Sequence, residues 1–139
     1  MRYARQELLP DFKGSSGLLA SKKAAVVGVG GLGGLCTYLL AGAGVIKLNI
    51  ADGDCVSLSN LHRQVLYRMH DIGHKKTEIC KKAILELDDR AEVGVFPEIN
   101  SGNFEEFAAG ADLVLDLSDN SATRMFISKA CFERRINYI

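Results

Sequence analysis

The sequence predicts an α/β fold in which a doubly wound, mainly parallel sheet carries helices on both faces. Two observations lead to this prediction: short apolar runs alternate with helix-length segments, and a glycine loop joins the first apolar run to the first long helical segment. Such an alternation, with right-handed crossovers, builds a parallel sheet that binds ligands beyond the carboxyl ends of its strands. A chain of 139 residues has the size of one domain.

The first half of the chain predicts a β-α-β unit followed by an amphipathic helix. Lys23–Val27 is a short apolar run bounded by glycine, and Lys47–Ala51 is a second run of the same kind, so both predict strands. Leu32–Ala43 between them has the length of a helix, and Gly44 is a suitable residue to end it. In Lys75–Asp88, apolar residues recur every three or four positions between charged ones, which predicts a helix packed on a sheet.

The second half continues the alternation. Ala91–Ile99 predicts a third strand, and Leu113–Leu117 is the apolar run of a fourth. Asn103–Gly110 predicts a short helix between them, and Asn120–Arg135 predicts a longer helix after the fourth strand. The final residues, Ile136–Ile139, resemble the opening of a fifth strand, so we expect the chain to be part of a longer protein.

Composition restricts the classes of function. Seventeen basic and seventeen acidic residues give no net charge, so nothing indicates a nucleic acid or an anionic membrane as partner. No apolar run approaches the ~20 residues of a membrane span. The first residues, MRYARQELLPD, are charged and lack the apolar stretch of a secretory signal. We therefore expect a cytoplasmic protein.

The four cysteines do not predict a metal site in this chain. They lie far apart in sequence and include no C-x-x-C pair, so zinc is not indicated here. Cys36 and Cys131 lie among apolar neighbours in predicted helices, and we expect both to be buried and unreactive.

The glycine loop and an acidic segment predict a nucleotide site. Gly28, Gly30 and Gly33 have the G-x-G-x-x-G spacing of a Rossmann-like fold, which brings backbone and a helix N-terminus close to phosphate. Asp52, which with Asp54 follows the second strand, lies where an acidic side chain binds ribose. Both features suit NAD and ATP equally. Alternatively, the glycines only allow close helix packing and Asp52 caps a turn.

Residues after the second strand favour ATP over NAD. Asn60, Arg63 and Gln64 fall on one or two predicted helical turns, and Lys75 and Lys76 open the next helix. A triphosphate carries more charge than a dinucleotide and recruits arginine, lysine and magnesium. The alternative is that Arg63 and Lys76 are solvated surface charges.

Asp119 is the candidate magnesium ligand. It lies past the end of the fourth strand, on the side of the sheet where ligands gather, and a carboxylate beside phosphates suits a hard cation. The alternative is that Asp119, together with Ser118 and Asn120, caps the following helix.

Five motifs extend through the chain in a fixed order, and together they resemble the adenylating enzymes that activate ubiquitin-like proteins. The resemblance is strongest to the bacterial enzymes of molybdopterin and thiamine biosynthesis, MoeB and ThiF. The motifs are RYARQELLPDF at 2–12, VVGVGGLGG at 26–34, ADGDCVSLSNLHRQ at 51–64, DIGHKK at 71–76 and LDLSDNSATR at 115–124.

The resemblance implies a role for each matching position. It places Gly31 and its neighbours at the nucleotide and Asp52 on the ribose. It places phosphates at Asn60, Arg63 and Lys76, magnesium at Asp119, and Arg5 in the pocket of a partner subunit of a homodimer. The family often has proline where this chain has Lys75, so Lys75 stays an alternative to Lys76. Together, the motifs and the resemblance predict catalytic roles for Arg5, Arg63, Lys76 and Asp119. The predicted nucleotide-binding residues are Gly28, Gly30, Gly31, Gly33, Asp52, Asp54, Asn60, Arg63, Gln64, Lys76, Asp119 and Asn120.

The resemblance also implies a reaction and a substrate. Residues 1–139 would be a single ATP-binding adenylation domain, truncated at its C-terminal end, that adenylylates the C-terminal glycine of a ubiquitin-like sulfur carrier. Zinc ligands of the family lie in the part absent here. Two alternatives stay open: an NAD-dependent oxidoreductase, and a non-catalytic subunit of a heterodimeric activating enzyme that supplies only the arginine.

Overall fold

The computed structural model describes residues 2–139, and its centre is a four-stranded parallel sheet. The strands stand in the order β3-β2-β1-β4, so the first strand lies inside the sheet. Their bounds are β1 Lys23–Val27, β2 Lys47–Ala51, β3 Glu92–Phe96 and β4 Leu113–Asp116. In the middle of the sheet, Val26 lies beside Ile50 on one side and Leu115 on the other.

Helices cover both faces of this sheet, which confirms the predicted doubly wound α/β fold. Their bounds are α1 Ser15–Ser21, α2 Gly31–Ala43, α3 Lys76–Leu87, α4 Phe104–Ala108 and α5 Ser121–Arg134. On the first face, α2 and α3 pack on strand residues such as Val26 and Ile50. On the second face, Phe104 and Phe107 of α4 and Ile127 of α5 are almost completely buried.

Backbone conformation and side-chain caps explain where two of the helices begin and end. Gly44 ends α2 at a φ of 111°, in the left-handed region that glycine adopts without strain. At the start of α5, the Asn120 side chain accepts hydrogen bonds from the backbone of Ala122 and Thr123 at 2.9 and 3.2 Å. Asn120 is therefore the N-cap, and Asp119 is not.

Some element bounds differ from the sequence-based prediction. β3 ends at Phe96 instead of Ile99, because Pro97 has no backbone N–H to continue the ladder. Helix α1 was not predicted, since its Ser-Ser-Gly start carries no helix signal. The last residues were predicted to open a fifth strand, and they form an isolated parallel bridge between Tyr138 and Val114 of β4. There Val114 donates a 2.9 Å hydrogen bond to the Asn137 carbonyl, and Ile139 donates one of 3.0 Å back to Val114.

The four cysteines are free thiols in different environments. Cys80 belongs to the core of the first face and Cys131 to that of the second, and both are completely buried. Cys36 was predicted to be buried, but it is only partly buried against the first-face core, and Cys55 is exposed. Burial raises the pKa of Cys36 and Cys131, as expected of unreactive thiols. Within residues 2–139, no helix is long and apolar enough to cross a membrane.

Candidate functional site

The glycine loop leaves β1 and enters α2 at the carboxyl edge of the sheet. Gly28 has a φ of 84°, and its N–H donates to the Ala51 carbonyl at the end of β2 at 2.7 Å. A side chain at Gly33 would overlap the Gly28 carbonyl oxygen, so the loop and α2 approach each other as only glycine allows. Gly30 precedes α2, and no side chain caps the helix there. The first N–H groups of α2 are therefore available to an anion.

Asp52 organises the loops at this edge. Its Oδ2 accepts a hydrogen bond from the Val29 N–H of the glycine loop at 2.9 Å, and its Oδ1 accepts one from the Asp54 N–H at 2.8 Å. The turn-capping alternative is thus part of what this carboxylate does. Each carboxylate oxygen has further acceptor capacity, so these bonds leave room for a ribose hydroxyl. Burial raises the pKa of the Cys80 thiol to about 12, and the charge of Asp52 contributes to this shift.

The two candidate lysines differ in environment. Lys76, the first residue of α3, is almost completely buried, and its Nζ lies 2.7 Å from Oδ2 of the exposed Asp54. The backbone N–H of Lys76 also donates to the Asp54 carbonyl at 3.1 Å. Lys75 is exposed and donates to the Gly53 carbonyl at 3.0 Å. A buried ammonium at the carboxyl edge of the sheet suits a phosphate better than the exposed Lys75 does.

Tyr67 connects the glycine loop to the start of α3, and the sequence analysis did not identify it. Its hydroxyl donates to the Val29 carbonyl and lies 3.4 Å from the Lys76 carbonyl. Burial is the main cause that raises the pKa of this phenol, and electrostatic repulsion from Cys80 and Asp52 raises it further. The hydroxyl group therefore stays neutral and can donate a hydrogen bond. The only sequence signal was an aromatic residue shortly after the arginine motif, which is more typical of a core position.

Gln64 and the backbone of Arg63 lie near Gly30 and Gly31 of the glycine loop, and Asn60 ends the short 3₁₀ turn that precedes them. Gln64 is buried, and its Oε1 has no hydrogen-bond partner within residues 2–139. A side chain at Gly30 would lie 3.5 Å from its amide. The Asn60 Oδ1 accepts from the Ser57 N–H, and the exposed Arg63 donates to the Ser59 carbonyl at 2.9 Å. Arg63 retains donors for an anion, since its guanidinium carries five N–H groups.

Asp119 lies at the same edge, beyond β4. The strand end is close to the glycine loop: Leu117 donates to the Val27 carbonyl at 2.8 Å, two residues before Asp119. Asp119 is exposed, and the capping of α5 falls to Asn120. Within residues 2–139, no three metal-ligating side chains form a cluster. A cation here would therefore need oxygen ligands from a nucleotide in addition to Asp119.

Arg5 is the one candidate residue that the structure places away from the others. Its segment is held at the far end of α2: the Gln6 amide donates to the Ala43 carbonyl at 2.8 Å, and the Tyr3 ring lies against Gly44. The glycine loop is at the opposite end of α2. A helix of this length separates the two by roughly 18 Å. Arg5 therefore cannot serve the glycine loop of its own chain.

Comparisons with known proteins agree on one family. The ThiF family model matches residues 3–139. "Adenylyltransferase and sulfurtransferase MOCS3" of Drosophila virilis is 44% identical over 133 residues, covering 94% of this chain and 29% of that protein. "Sulfur carrier protein ThiS adenylyltransferase" of Escherichia coli (strain K12) is 40% identical over 134 residues, covering 94% of this chain and 53% of that protein. The chain thus spans about half of that relative's length or less.

A solved structure supports the same fold. The E. coli tRNA N6-threonylcarbamoyladenosine dehydratase, TcdA, superposes with a TM-score of 0.92 over 99% of this chain and 58% of its own. Its sequence identity is 22%, so this likeness bears on the fold alone.

Proposed function

This chain belongs to the ThiF family, and from that premise we propose that it is the ATP-binding domain of an adenylyltransferase. The reaction would activate the C-terminal glycine carboxylate of a ubiquitin-like sulfur-carrier protein and release pyrophosphate. Two similar proteins are named adenylyltransferases, and the name of one gives the sulfur carrier ThiS as its substrate.

The observation that carries the proposal is the buried Lys76 beside Asp54 at the carboxyl edge of the sheet. Burying an ammonium is costly, so its position calls for a partner of high negative charge. A triphosphate supplies that charge. An NAD-dependent oxidoreductase would use the glycine loop and Asp52 but would leave Lys76, Arg63 and Asp119 without a common purpose.

The residues at this edge suit a reaction that needs no general base. The attacking carboxylate is already ionised at neutral pH, so no side chain must remove a proton from it. It attacks the α-phosphorus, an acyl-adenylate forms, and the bond to pyrophosphate breaks. Lys76 and Arg63 would offset charge on the phosphates, while Asp52 would hold the ribose. Catalysis would thus consist of positioning and charge neutralisation.

The donor set also fits magnesium. Asp119 is exposed at the carboxyl edge, and because Asn120 caps α5, its carboxylate is not required for the helix. Hard cations in nucleotide sites are commonly held by one or two carboxylates together with phosphate oxygens. Magnesium bound there would supply further charge neutralisation on the phosphates.

We propose that residues 1–139 are one domain of a longer enzyme and that the enzyme works in the cytoplasm. The match to only part of the relatives' length supports the first statement. Four free cysteines, which are typical of a reducing compartment, support the second. Recognition of the carrier, and any zinc ligands, would belong to the remainder of the enzyme.

We further propose a homodimer in which Arg5 acts in the partner's site. Leu32, Leu35 and Leu39 form an exposed apolar stripe along α2, with 76%, 43% and 59% of their surface accessible. Two copies of α2 packed antiparallel about a two-fold axis would cover this stripe. That arrangement brings the Arg5 end of one helix to the glycine-loop end of the other. A non-catalytic subunit that supplies only Arg5 is the alternative, but such a subunit would not need the buried Lys76.

Calorimetry and pyrophosphate exchange test the proposed reaction. We expect the complete protein to bind magnesium-ATP and not NAD, and to exchange pyrophosphate into ATP in the presence of its carrier. Asp119→Asn should lose most of that exchange. Tight NAD binding without a response to ATP would contradict the adenylylation proposal. Full pyrophosphate exchange by Asp119→Asn would show that this carboxylate is not required to bind the metal.

Subunit mixing tests the role of Arg5. Neither Arg5→Ala nor Asp119→Ala should exchange pyrophosphate alone. Their heterodimer contains one pocket with both groups intact, so a statistical mixture should recover about a quarter of the wild-type rate. The absence of recovery, with subunit exchange verified by mass spectrometry, would count against a shared site.

A further inference from the structure

The amino-terminal segment, residues 2–12, carries Arg5, and its first residues are tied to the end of α3. Arg2 Nη1 lies 3.0 Å from Oδ2 of Asp88, the residue that follows α3, and Arg2 also donates to the Leu87 carbonyl. Tyr3 receives a 3.4 Å hydrogen bond from Arg90. These contacts lie three residues or fewer from Arg5 in the sequence.

Asp88 is the centre of this network. Its side chain is only 1% exposed, although the side chains of Arg2 and Arg90 are 40% and 58% exposed. Arg90 donates to both carboxylate oxygens, from Nε at 2.9 Å and from Nη2 at 2.7 Å. A buried carboxylate with two arginine partners is held in a fixed position, since leaving it unpaired would be costly.

We propose that Asp88 is a positioning residue that fixes the amino-terminal segment on the ends of α2 and α3 and thereby sets where Arg5 is presented to the partner subunit. This inference rests on the proposed function of Arg5. Asp88 lies at the opposite end of α3 from Lys76, roughly 18 Å away, so it does not contact a nucleotide bound at the carboxyl edge of the sheet.

The amino-terminal segment depends on polar contacts to hold it in place. The segment has no buried residue in its two short 3₁₀ turns, Gln6–Leu8 and Pro10–Phe12, so apolar packing does little to fix it. Polar contacts remain: Arg2 with Asp88, Tyr3 with Arg90, and the Gln6 amide with Ala43. Asp88 serves the first two, directly and through Arg90. Loss of its charge should therefore release the segment while the sheet and the nucleotide site stay folded.

Subunit mixing with Asp88→Asn tests the proposal in the complete protein. Asp88→Asn alone should lose most pyrophosphate exchange. Mixed with Asp119→Ala, which keeps an intact segment, it should recover about a quarter of the wild-type rate, because one pocket per heterodimer is complete. Mixed with Arg5→Ala, it should recover nothing, because both segments are then defective.

Amide hydrogen exchange of residues 2–12 provides a second readout that does not depend on catalysis. We expect Asp88→Asn to speed exchange of these amides on the order of tenfold, since local opening sets the rate. Asp112→Asn is the matched control. Asp112 likewise forms an ion pair, with Lys22 at 2.8 Å, but it is not part of the segment's anchor, so exchange in residues 2–12 should not change.

Each other outcome would overturn the proposal. Recovery with Arg5→Ala but not with Asp119→Ala would place the defect in the pocket, and recovery with neither would mean a general structural defect. Unchanged amide exchange in Asp88→Asn would show that Asp88 does not hold the segment. Should Arg5→Ala itself keep full activity, the role of Arg5 fails, whereas the amide exchange still decides whether Asp88 anchors the segment.

Discussion

Lys76 and Asp54 form an unequal ion pair, since the ammonium is buried and the carboxylate is 73% exposed. A nucleotide phosphate could replace Asp54 as the partner of Lys76. Asp54 would then not be a buried, unpaired charge, because its side chain is already exposed to water. The pair therefore holds the Lys76 side chain at the carboxyl edge of the sheet. Local environment, not residue type, separates Lys76 from its neighbour Lys75.

The two lysines should respond differently to the same substitution. Lys76→Met should lower kcat/KM for ATP on the order of 100-fold, because a charge on the phosphates is lost. Its free energy of unfolding should change little, since methionine suits a buried position. Lys75→Met is the matched control and should stay within about threefold of wild type. Equal losses in both variants, measured by steady-state kinetics, would contradict this assignment.

Asp88 should contribute a pH-dependent part of the stability. Hydrogen bonds from Arg90 lower the pKa of Asp88 from its ordinary value of 3.8 to about 2. The stabilisation is therefore complete above about pH 4 and is lost as the pH falls toward 2. Because both arginines are partly exposed, solvent screening reduces it to about 1 kcal/mol. Urea unfolding should show Asp88→Asn less stable than wild type at neutral pH and equal near pH 2; a difference independent of pH would contradict this.

At the scale of the elements, three parts of α2 have different contacts. Its first N–H groups face the glycine loop, its exposed leucine stripe is available to a partner, and its last turn holds the amino-terminal segment through Ala43 and Gly44. A change in the position of α2 would therefore alter the nucleotide site and the presentation of Arg5 together.

Two glycines of α2 predict opposite effects of the same substitution. Gly33→Ala should lower the free energy of unfolding by about 2–3 kcal/mol and weaken ATP binding, because the new methyl group overlaps the Gly28 carbonyl. Gly42→Ala meets only an ordinary 3.8 Å contact with Leu87 and should raise it by about 0.5–1 kcal/mol. Thermal unfolding and calorimetry measure both, and a stable Gly33→Ala protein that binds ATP normally would contradict the close approach.

The strand and helix order was predictable because hydrophobic periodicity and glycine punctuation are local signals. β1 and β2 have the predicted bounds, and α2 differs from its prediction by one residue. α1 was not predictable, since its helix depends on Leu19 packing against the first-face core. For the candidate site, spacing predicted the roles of the glycines and Asp52, while Lys76 was predicted from the resemblance with Lys75 as the alternative. The structure brings these residues to the carboxyl edge of the sheet. Tyr67 and Asp88 were missed because their partners, Val29 and Arg2, are distant in sequence.

At the scale of the whole molecule, the candidate residues lie at the two ends of α2. The residues at the carboxyl edge of the sheet suit a nucleotide, and Arg5 belongs to the segment held at the other end of the helix. If Arg5 serves the partner's site, as we propose, a two-fold arrangement would complete two sets of charges at once.

Charge on the α2 stripe should separate assembly from nucleotide binding. We expect a Leu35→Glu, Leu39→Glu double variant to be monomeric in analytical ultracentrifugation and to lose most pyrophosphate exchange, because carboxylates would be buried at the interface. Its affinity for magnesium-ATP should stay within about tenfold, the cost of one absent arginine contact. Phe132→Glu, on the exposed side of α5, serves as the control. A dimeric double variant would place the interface elsewhere.

One completely buried thiol lies in the core on each face of the sheet, so alkylation of that thiol can report when the helices on its face detach. The thiolate is the form that reacts with an alkylating reagent, and burial disfavours it at both Cys80 and Cys131. Each should therefore be alkylated only when its own layer of helices detaches. Peptide mapping of the two labelling rates would reveal whether α3 and α5 leave the sheet in one cooperative step or in sequence, with the exposed Cys55 as the internal measure of reagent strength.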